Sequence, residues 1–338
     1  LQRVKLTFAR DLEVEFTDRD VAIRQIYELG EKGTRYPVVV YGPEGCGKTA
    51  WLKQATLTLR EMGYDALYVN PLYRDFVVKV DISEIVQRLL NVISEASGVV
   101  ALKLASMAVL LARELMTRWK RRKIALLVDD VFQAIGLDRA ELYVKEILGL
   151  IEYPPGSYDS MVVIVATSEG VTRGRIGRHR WAWLRAMWNM SESGFLELYN
   201  KIPGAKPPFK DVWRATGGNP DALSQLYQHG WDVDKVVESL VEHRKLRLFV
   251  RSLSDVEKAW LNEALEDPDT LFARERLGLL QRLVELNLVV DDLPARESFL
   301  WIDTPPEIDL KIGVGKYVAW QTPVHREAVR RTLLELKS

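Results

Sequence analysis

Short unbroken apolar runs punctuate the first half of the chain: Val38-Val39-Val40-Tyr41, 66–69, 124–128 and 161–166. Each is closed by Gly, Asn, Asp or Thr, and none alternates with polar residues, so each predicts a strand buried on both faces. The stretches between them repeat at helical spacing. Val21, Ile23, Ile26 and Leu29 form one apolar stripe, ended by Gly30. Leu52, Ala55, Leu59 and Met62 form a second, ended by Gly63. Ile82, Val86, Leu89 and Ile93 form a third, and helices are predicted over 99–119 and from Asp138 to about Ile151. Asp81-x-x-Glu84 and Asp138-x-x-Glu141 read as capping boxes. Apolar strands alternating with helices predict an α/β fold, a parallel sheet covered on both sides.

Beyond Gly170 the pattern turns almost entirely helical. Gly217-Gly218-Asn219-Pro220-Asp221 predicts a helix start, with Asn219 as N-cap and Pro220 at the first helical position. A helix over about 231–246 follows. The last ninety or so residues read as a capping box at Ser254-x-x-Glu257, a helix over 273–286 and a stop at Asn287. Then come β-like pieces at 288–290, 299–302 and 317–320, and a final helix over about 323–336. Helix, helix, β ribbon is the outline of a winged helix. The pattern thus divides the chain into an α/β domain (1–170), a helical lid (171–246) and a winged-helix domain (247–338).

Composition changes this picture little. The 338 residues are long enough for two or three domains, and 47% hydrophobic with 28% charged residues is a globular balance. Lys+Arg and Asp+Glu are equal at 47 each, which argues against a chain coated with basic charge for nucleic acid. Cys46 is the single cysteine, so no internal disulfide is available and a reducing, cytoplasmic setting is expected. Leu1 to Phe8 lacks the apolar core of a signal peptide. The apolar stretch 99–111 is broken by Lys103 and closed by Arg113, so a buried helix is expected there and no membrane association.

The chemistry concentrates in Gly42-Pro43-Glu44-Gly45-Cys46-Gly47-Lys48-Thr49, set between a predicted strand and a predicted helix. Strand, G-x-x-x-x-G-K-[ST], helix is a phosphate-binding loop in its required context. The glycines let backbone N–H groups converge on phosphate oxygens, and the helix start through Ala50 adds free donors and partial positive charge. Lys48 is expected to reach the β- and γ-phosphates and the Thr49 hydroxyl to be a ligand for Mg²⁺. Cys46 contributes its backbone N–H. The cofactors expected are therefore ATP and Mg²⁺.

Asp129 ends an apolar strand about 80 residues after Lys48. Open α/β sheets bind ligands at that end, where a carboxylate can hold Mg²⁺ opposite Thr49. Asp130 is the candidate for orienting or deprotonating the attacking water. Asp-Asp after a strand is also an ordinary turn, and the phosphate loop is what tips the reading. Thr167 and Ser168 end the next strand, placed to report a γ-phosphate or simply to stop the strand. Arg173, Arg175, Arg178, Arg180 and Arg185 form the densest basic run. Phosphate contact, nucleic-acid contact with Trp181 and Trp183 as stacking faces, and a solvated helix face all fit it. The run Arg118 to Lys123 sits at a helix C-terminus, where the dipole favours cations. The four histidines lack metal-ligand spacing.

The phosphate loop, the apolar strand ending in Asp129-Asp130, the polar strand end at Thr167, the Gly-Gly-Asn-Pro helix start and the trailing winged helix together resemble archaeal ATPases of the STAND class, within the AAA+-like P-loop ATPases. Phe16-x-Asp18-Arg19 resembles that group's entry segment near adenine, and Gly218-Asn219-Pro220 resembles its lid motif approaching the nucleotide. The resemblance implies a nucleotide-controlled switch. ATP would bind between the sheet domain and the lid, and the winged helix would present a surface to a protein partner. Asp130 stands where Glu is common, which implies slow turnover. The alternative is a DNA-binding ATPase resembling archaeal replication initiators, with 273–286 as recognition helix. A small-molecule kinase on the same loop is disfavoured by the separate lid and winged helix.

Overall fold

The computed structural model describes residues 2–79, 82–94, 100–168, 174, 176–177 and 180–336. Along the chain run β1 (Lys5–Ala9), β2 (Leu12–Glu15), α1 (Asp20–Lys32), β3 (Val38–Tyr41), α2 (Lys48–Glu61), β4 (Asp65–Asn70) and β5 (Asp75–Lys79). Next come α3 (Ser83–Ser94), α4 (Val100–Thr117), β6 (Lys123–Asp129), α5 (Val131–Ile135), α6 (Leu137–Glu152), β7 (Ser160–Thr167) and β8 (Trp183–Met187). Then follow α7 (Glu192–Lys201), α8 (Phe209–Thr216), α9 (Pro220–Gln228), α10 (Val233–His243), α11 (Leu246–Arg251) and α12 (Asp255–Glu266). The chain ends with α13 (Leu277–Glu285), β9 (Val289–Val290), β10 (Trp301–Ile302), β11 (Ala319–Trp320) and α14 (Pro323–Glu335). The fold divides into two compact units: 1–4, 19–41 and 48–185 form one, and 5–18, 42–47 and 186–338 the other.

The first unit is a sheet in the order β8-β3-β7-β6-β4-β5, with helices packed on it. β3 and β6 run parallel to β7, and β4 parallel to β6, while β5 closes the edge antiparallel to β4. β3, β6 and β7 have no polar face because both faces are covered, and Val39, Leu126 and Val163 meet Leu104, Leu111 and Val144 in one apolar core. Register does the positioning: Asp129 lies opposite Ala166, and Tyr41 opposite Thr167, so strand ends with polar side chains line up along one edge. Trp51, fully buried on α2, donates its indole N–H to the Ala22 carbonyl of α1 at 3.4 Å. The stretch expected as a buried helix is α4, whose Val100, Leu104, Leu111 and Leu115 are buried.

The second unit is mostly helical. Its core joins Phe195, Leu223, Val237, Leu261, Leu283, Trp320 and Val329. The β1–β2 hairpin lies on α9: Phe8 and Tyr227 rings approach to 6.4 Å, and the Ser224 hydroxyl donates to the Phe8 carbonyl. Asn219 caps α9 by accepting from the Ala222 N–H, with Pro220 in the first turn. The Ser254/Glu257 capping box is present at α12. β9 and β11 pair antiparallel behind α13.

Several expectations need correction. Residues 183–187, read as helical, form β8, and the Trp183 N–H donates to the Pro37 carbonyl at 2.9 Å. The piece at 299–302 does not join the ribbon: only Trp301 and Ile302 are strand, and they pair parallel with Ala186 and Met187. α1 runs past Gly30 to Lys32, with Gly33 as its C-cap. α6 has Gly136 as its N-cap, so Asp138 lies in the first turn and not at the cap. The expected helix over 273–286 begins with a 3₁₀ turn at Arg274–Arg276. The helix expected over 231–246 breaks at Lys245, which adopts φ +52°. The capping residue expected at position 81, and Arg173, Arg175 and Arg178, lie outside the described residues.

Candidate functional site

In the first unit the sequence candidates at the start of α2 and the end of β6 come together. The Thr49 hydroxyl donates to Asp129 Oδ2 at 2.6 Å. Two residues of β4 complete the setting: the Tyr68 hydroxyl at 3.1 Å and the Asn70 side-chain amide at 3.2 Å donate to the same oxygen. Asn70 is fixed in turn by accepting the Tyr73 N–H at 3.0 Å. Burial raises the Asp129 pKa, while the bonds from Thr49 and Tyr68, the Lys48 charge and the bond from Asn70 pull it back. Burial and the charge of Asp129 push the Asp130 carboxyl up to about 6. Asp130 adopts φ +47° at the N-cap of α5, and its Oδ1 accepts from the Ser168 hydroxyl at 3.4 Å. Gln133 donates to that hydroxyl at 3.3 Å.

Lys48 is buried at the first residue of α2, Thr49 is exposed, and Ala50 is half-buried. Thr167 is fully buried beside the end of β3. Arg19 is buried at the start of α1, with φ +64°. The donor set suits a hard divalent cation. One hydroxyl and one carboxylate oxygen lie in contact, the Lys48 charge offsets part of the carboxylate charge, and waters and phosphate oxygens would fill the other positions.

The loop residues 42–47 are held in the second unit by Asn219 of the expected lid motif and by Asn189, Arg244, Asn287 and Gln321, which the sequence did not single out for this role. Glu44 uses every polar group it has. Its N–H donates to Gln321 Oε1 at 2.8 Å, and its carbonyl accepts from the Asn219 side chain at 2.9 Å. Its carboxylate pairs with Arg244 and accepts from the Asn287 side chain at 3.4 Å. Asn219 also donates to Asn189 Oδ1 at 2.8 Å, and Asn189 donates to the Gln321 carbonyl at 3.1 Å. Gly45 has φ +73°, and a Cβ there would lie 2.3 Å from Asp221 Cβ. The Asp221 N–H, next to Pro220, donates to the Gly45 carbonyl at 3.3 Å. Pro43 accepts from the Cys46 N–H at 3.3 Å, and the buried Cys46 thiol faces the Met187 carbonyl. Gly47 has φ +103°, open to glycine alone at no cost. Asp18 packs against Gly194 at the start of α7.

Three partly exposed arginines of the 118–123 run are paired with carboxylates. Arg118 pairs with Glu84 at 2.7 Å, Arg121 with Asp65 at 3.5 Å and Arg122 with Asp159 at 3.9 Å. Trp183 packs on Tyr36, rings 5.7 Å apart, and the Lys145 ammonium lies 5.5 Å from the Trp181 ring. No helix among the described residues is long and apolar enough to cross a membrane.

A glycine loop entering a helix, with a strand-end carboxylate bonded to its threonine, marks the nucleotide-binding α/β class. The chain belongs to the family of ATPase domains found predominantly in Archaea, whose model matches residues 16–226. A sequence comparison with curated proteins found no match. Among solved structures, Cdc6p from Pyrobaculum aerophilum is similar at 14% identity and TM-score 0.41, over 98% of this chain and 99% of that one. The ADP form of the Aeropyrum pernix ORC2 protein is similar at 12% identity and TM-score 0.42, over 95% and 93%. The Aeropyrum pernix ORC1 protein in complex with DNA is similar at 16% identity and TM-score 0.35, over the same shares. At these scores the likeness carries no further weight.

Proposed function

We propose that the chain is an ATP-binding, Mg²⁺-dependent ATPase of the AAA+ type that works as a nucleotide-controlled switch. The observation that carries this is the Thr49–Asp129 bond beside Lys48. Loop residues 42–50 hold the phosphates, with Lys48 on the β- and γ-phosphates. Thr49 and Asp129 hold Mg²⁺, which neutralises the phosphate charge when bound. Asp130 orients the attacking water, and a pKa near 6 suits a group that must accept a proton close to neutral pH. Thr167 senses the γ-phosphate, Asp18 and Arg19 face adenine, and Pro220 belongs to the lid.

The switch reading assigns 1–170 to the ATP-binding domain, 171–246 to the lid and 247–338 to a winged-helix domain that offers a protein-binding surface. The setting is cytoplasmic. Glu44 supports a switch, because one loop residue is bonded to Asn219, Arg244, Asn287 and Gln321, spread over residues 219–321. A change at the loop on nucleotide binding would reach all four.

Duplex binding through α13 is less well supported. Of the three arginines in 273–286, Arg282 is bonded to Glu257 at 3.0 Å and to Ser252 at 2.7 Å, and Arg276 pairs with Glu263 at 2.6 Å, so two are already engaged. Calorimetry with ATP separates the outcomes. Lys48→Ala should weaken binding by about 100-fold or more, and unchanged affinity would remove the site assignment. Duplex affinity that appears at low salt and falls steeply as salt rises would favour a DNA-binding ATPase instead.

A further inference from the structure

We propose that the concavity between α8 and α14 binds a compact phosphoryl anion, read by Arg214, Arg326 and Arg330. The cavity measures about 330 Å³. That is at the small end of ligand sites, enough for one phosphoryl group on a small organic body. Its walls are set by helix periodicity. Asp211 and Arg214 are three apart on α8, and Arg326, Glu327 and Arg330 share one face of α14.

Three guanidinium groups face two carboxylates, so the lining carries a net positive charge. Arg326 is not held by a carboxylate. Its guanidinium donates to the carbonyls of Leu310, at 2.7 Å, and Lys311. Burial and then the neighbouring Arg330 charge lower the Arg326 pKa, and the carboxylates of Glu266, Glu327 and Asp309 pull it back only in part. Arg214 is loosely tethered: its side chain is 77% exposed and 3.9 Å from Asp211. Arg330 bonds Glu327 at 3.1 Å and Glu266 at 3.4 Å, both on its outer side chain nitrogens. The first turns of α14 and α10, through Pro323 and Val233, add the positive ends of two helices. Planar guanidinium forks match phosphate oxygens in pairs, which favours a phosphoryl group over a carboxylate.

The site has a route to the phosphate loop. Gly217 follows α8 and abuts Pro323, where a Cβ would lie 2.8 Å from the ring. Gln321, which accepts the Glu44 N–H, lies two residues before Pro323. An occupant that draws α8 toward α14 acts on both segments.

The test uses the full chain carrying Lys48→Ala, so that the phosphate loop is silenced, in EDTA and phosphate-free buffer. Inorganic phosphate, pyrophosphate and AMP are titrated by calorimetry, with citrate as the carboxylate control. One equivalent of at least one phosphoryl probe should bind, and Arg214→Gln with Arg330→Gln should weaken it by roughly tenfold or more. Arg214→Gln alone, at an exposed position, should weaken it in the same direction if the double variant does not fold. Absence of binding at millimolar probe, equal binding of citrate, or affinity untouched by the arginine changes would each overturn the assignment. The nucleotide reading is judged separately, since ATP binding by the unmodified chain depends on Lys48 and this site does not.

Discussion

The Thr49 hydroxyl and the Asp129 carboxylate are 2.6 Å apart, bonded directly across the start of α2 and the end of β6. If these two groups are the Mg²⁺ ligands proposed above, they need only separate slightly to admit the ion. Asp129→Asn keeps the shape and removes the charge. It should leave Mg²⁺-free nucleotide affinity within a few fold and remove the gain that Mg²⁺ brings, with turnover down by about 100-fold or more. Titrations with and without EDTA check this, and a persisting Mg²⁺ effect would place the ion elsewhere.

The two aspartates also predict how stability depends on pH in the metal-free chain. The Asp130 pKa rises from 3.8 to about 6 through burial and then the Asp129 charge, and burial moves Asp129 in the same direction. Between those values the folded chain holds a proton that the unfolded chain has lost. The Asp130 contribution to stability therefore falls as pH rises through that window and levels off above about 6. Partial exposure of Asp130 reduces the effect to roughly 1–2 kcal/mol. Asp130→Asn should flatten the curve, as read by urea denaturation in EDTA across that pH range. A slope of the same size in the variant would assign it to another group.

Glu44 and Gln321 make a second testable pair, with the loop N–H on the amide oxygen at 2.8 Å. Gln321→Leu leaves that N–H without its acceptor and removes nothing from the Lys48 and Thr49 region. Stability should drop by about 1–2 kcal/mol, and a fluorescent ATP analogue should dissociate several-fold faster. Stopped-flow displacement measures this, and an unchanged rate would mean that Gln321 does not steady the loop in the bound state.

What the chain disclosed about itself depended on how local each cause was. β3, β6 and β7 are unbroken apolar runs, so pattern alone places them, and the Asn219 cap with Pro220 is written in adjacent residues. β8 was hidden because Trp183-Leu184-Arg185-Ala186-Met187 has no strand alternation. Its partners, Pro37 on one side and Trp301-Ile302 on the other, lie more than a hundred residues away. Tyr68 reads as an ordinary strand residue and Asn70 as the stop that closes the strand. Their polar groups at the carboxyl end of an apolar strand beside the acidic one were the available signal. Gln321 and Asn189 gave no signal, because their roles exist only once distant segments meet at Glu44. The cation run at 118–123 does sit at the end of α4, but Glu84, Asp65 and Asp159 hold three of its members as well as the helix end.

Gly45 separates the role of backbone shape from that of charge. Its φ of +73° disfavours any Cβ, and the added carbon would fall 2.3 Å from Asp221 Cβ and 3.0 Å from Asn219 Oδ1. The nearer neighbour is a Cβ next to the backbone, not a flexible side-chain end, so the loop itself must move. Gly45→Ala should therefore cost about 1–3 kcal/mol of stability and weaken ATP by more than tenfold, although no charge is altered. Asp221→Gly in the same chain relieves the contact but not the strained φ, so it should restore part of the stability and little of the affinity. Denaturation and calorimetry on the single and double variants measure the two parts. Full recovery of affinity in the double variant would show that crowding, and not backbone conformation, sets the loop's grip on phosphate.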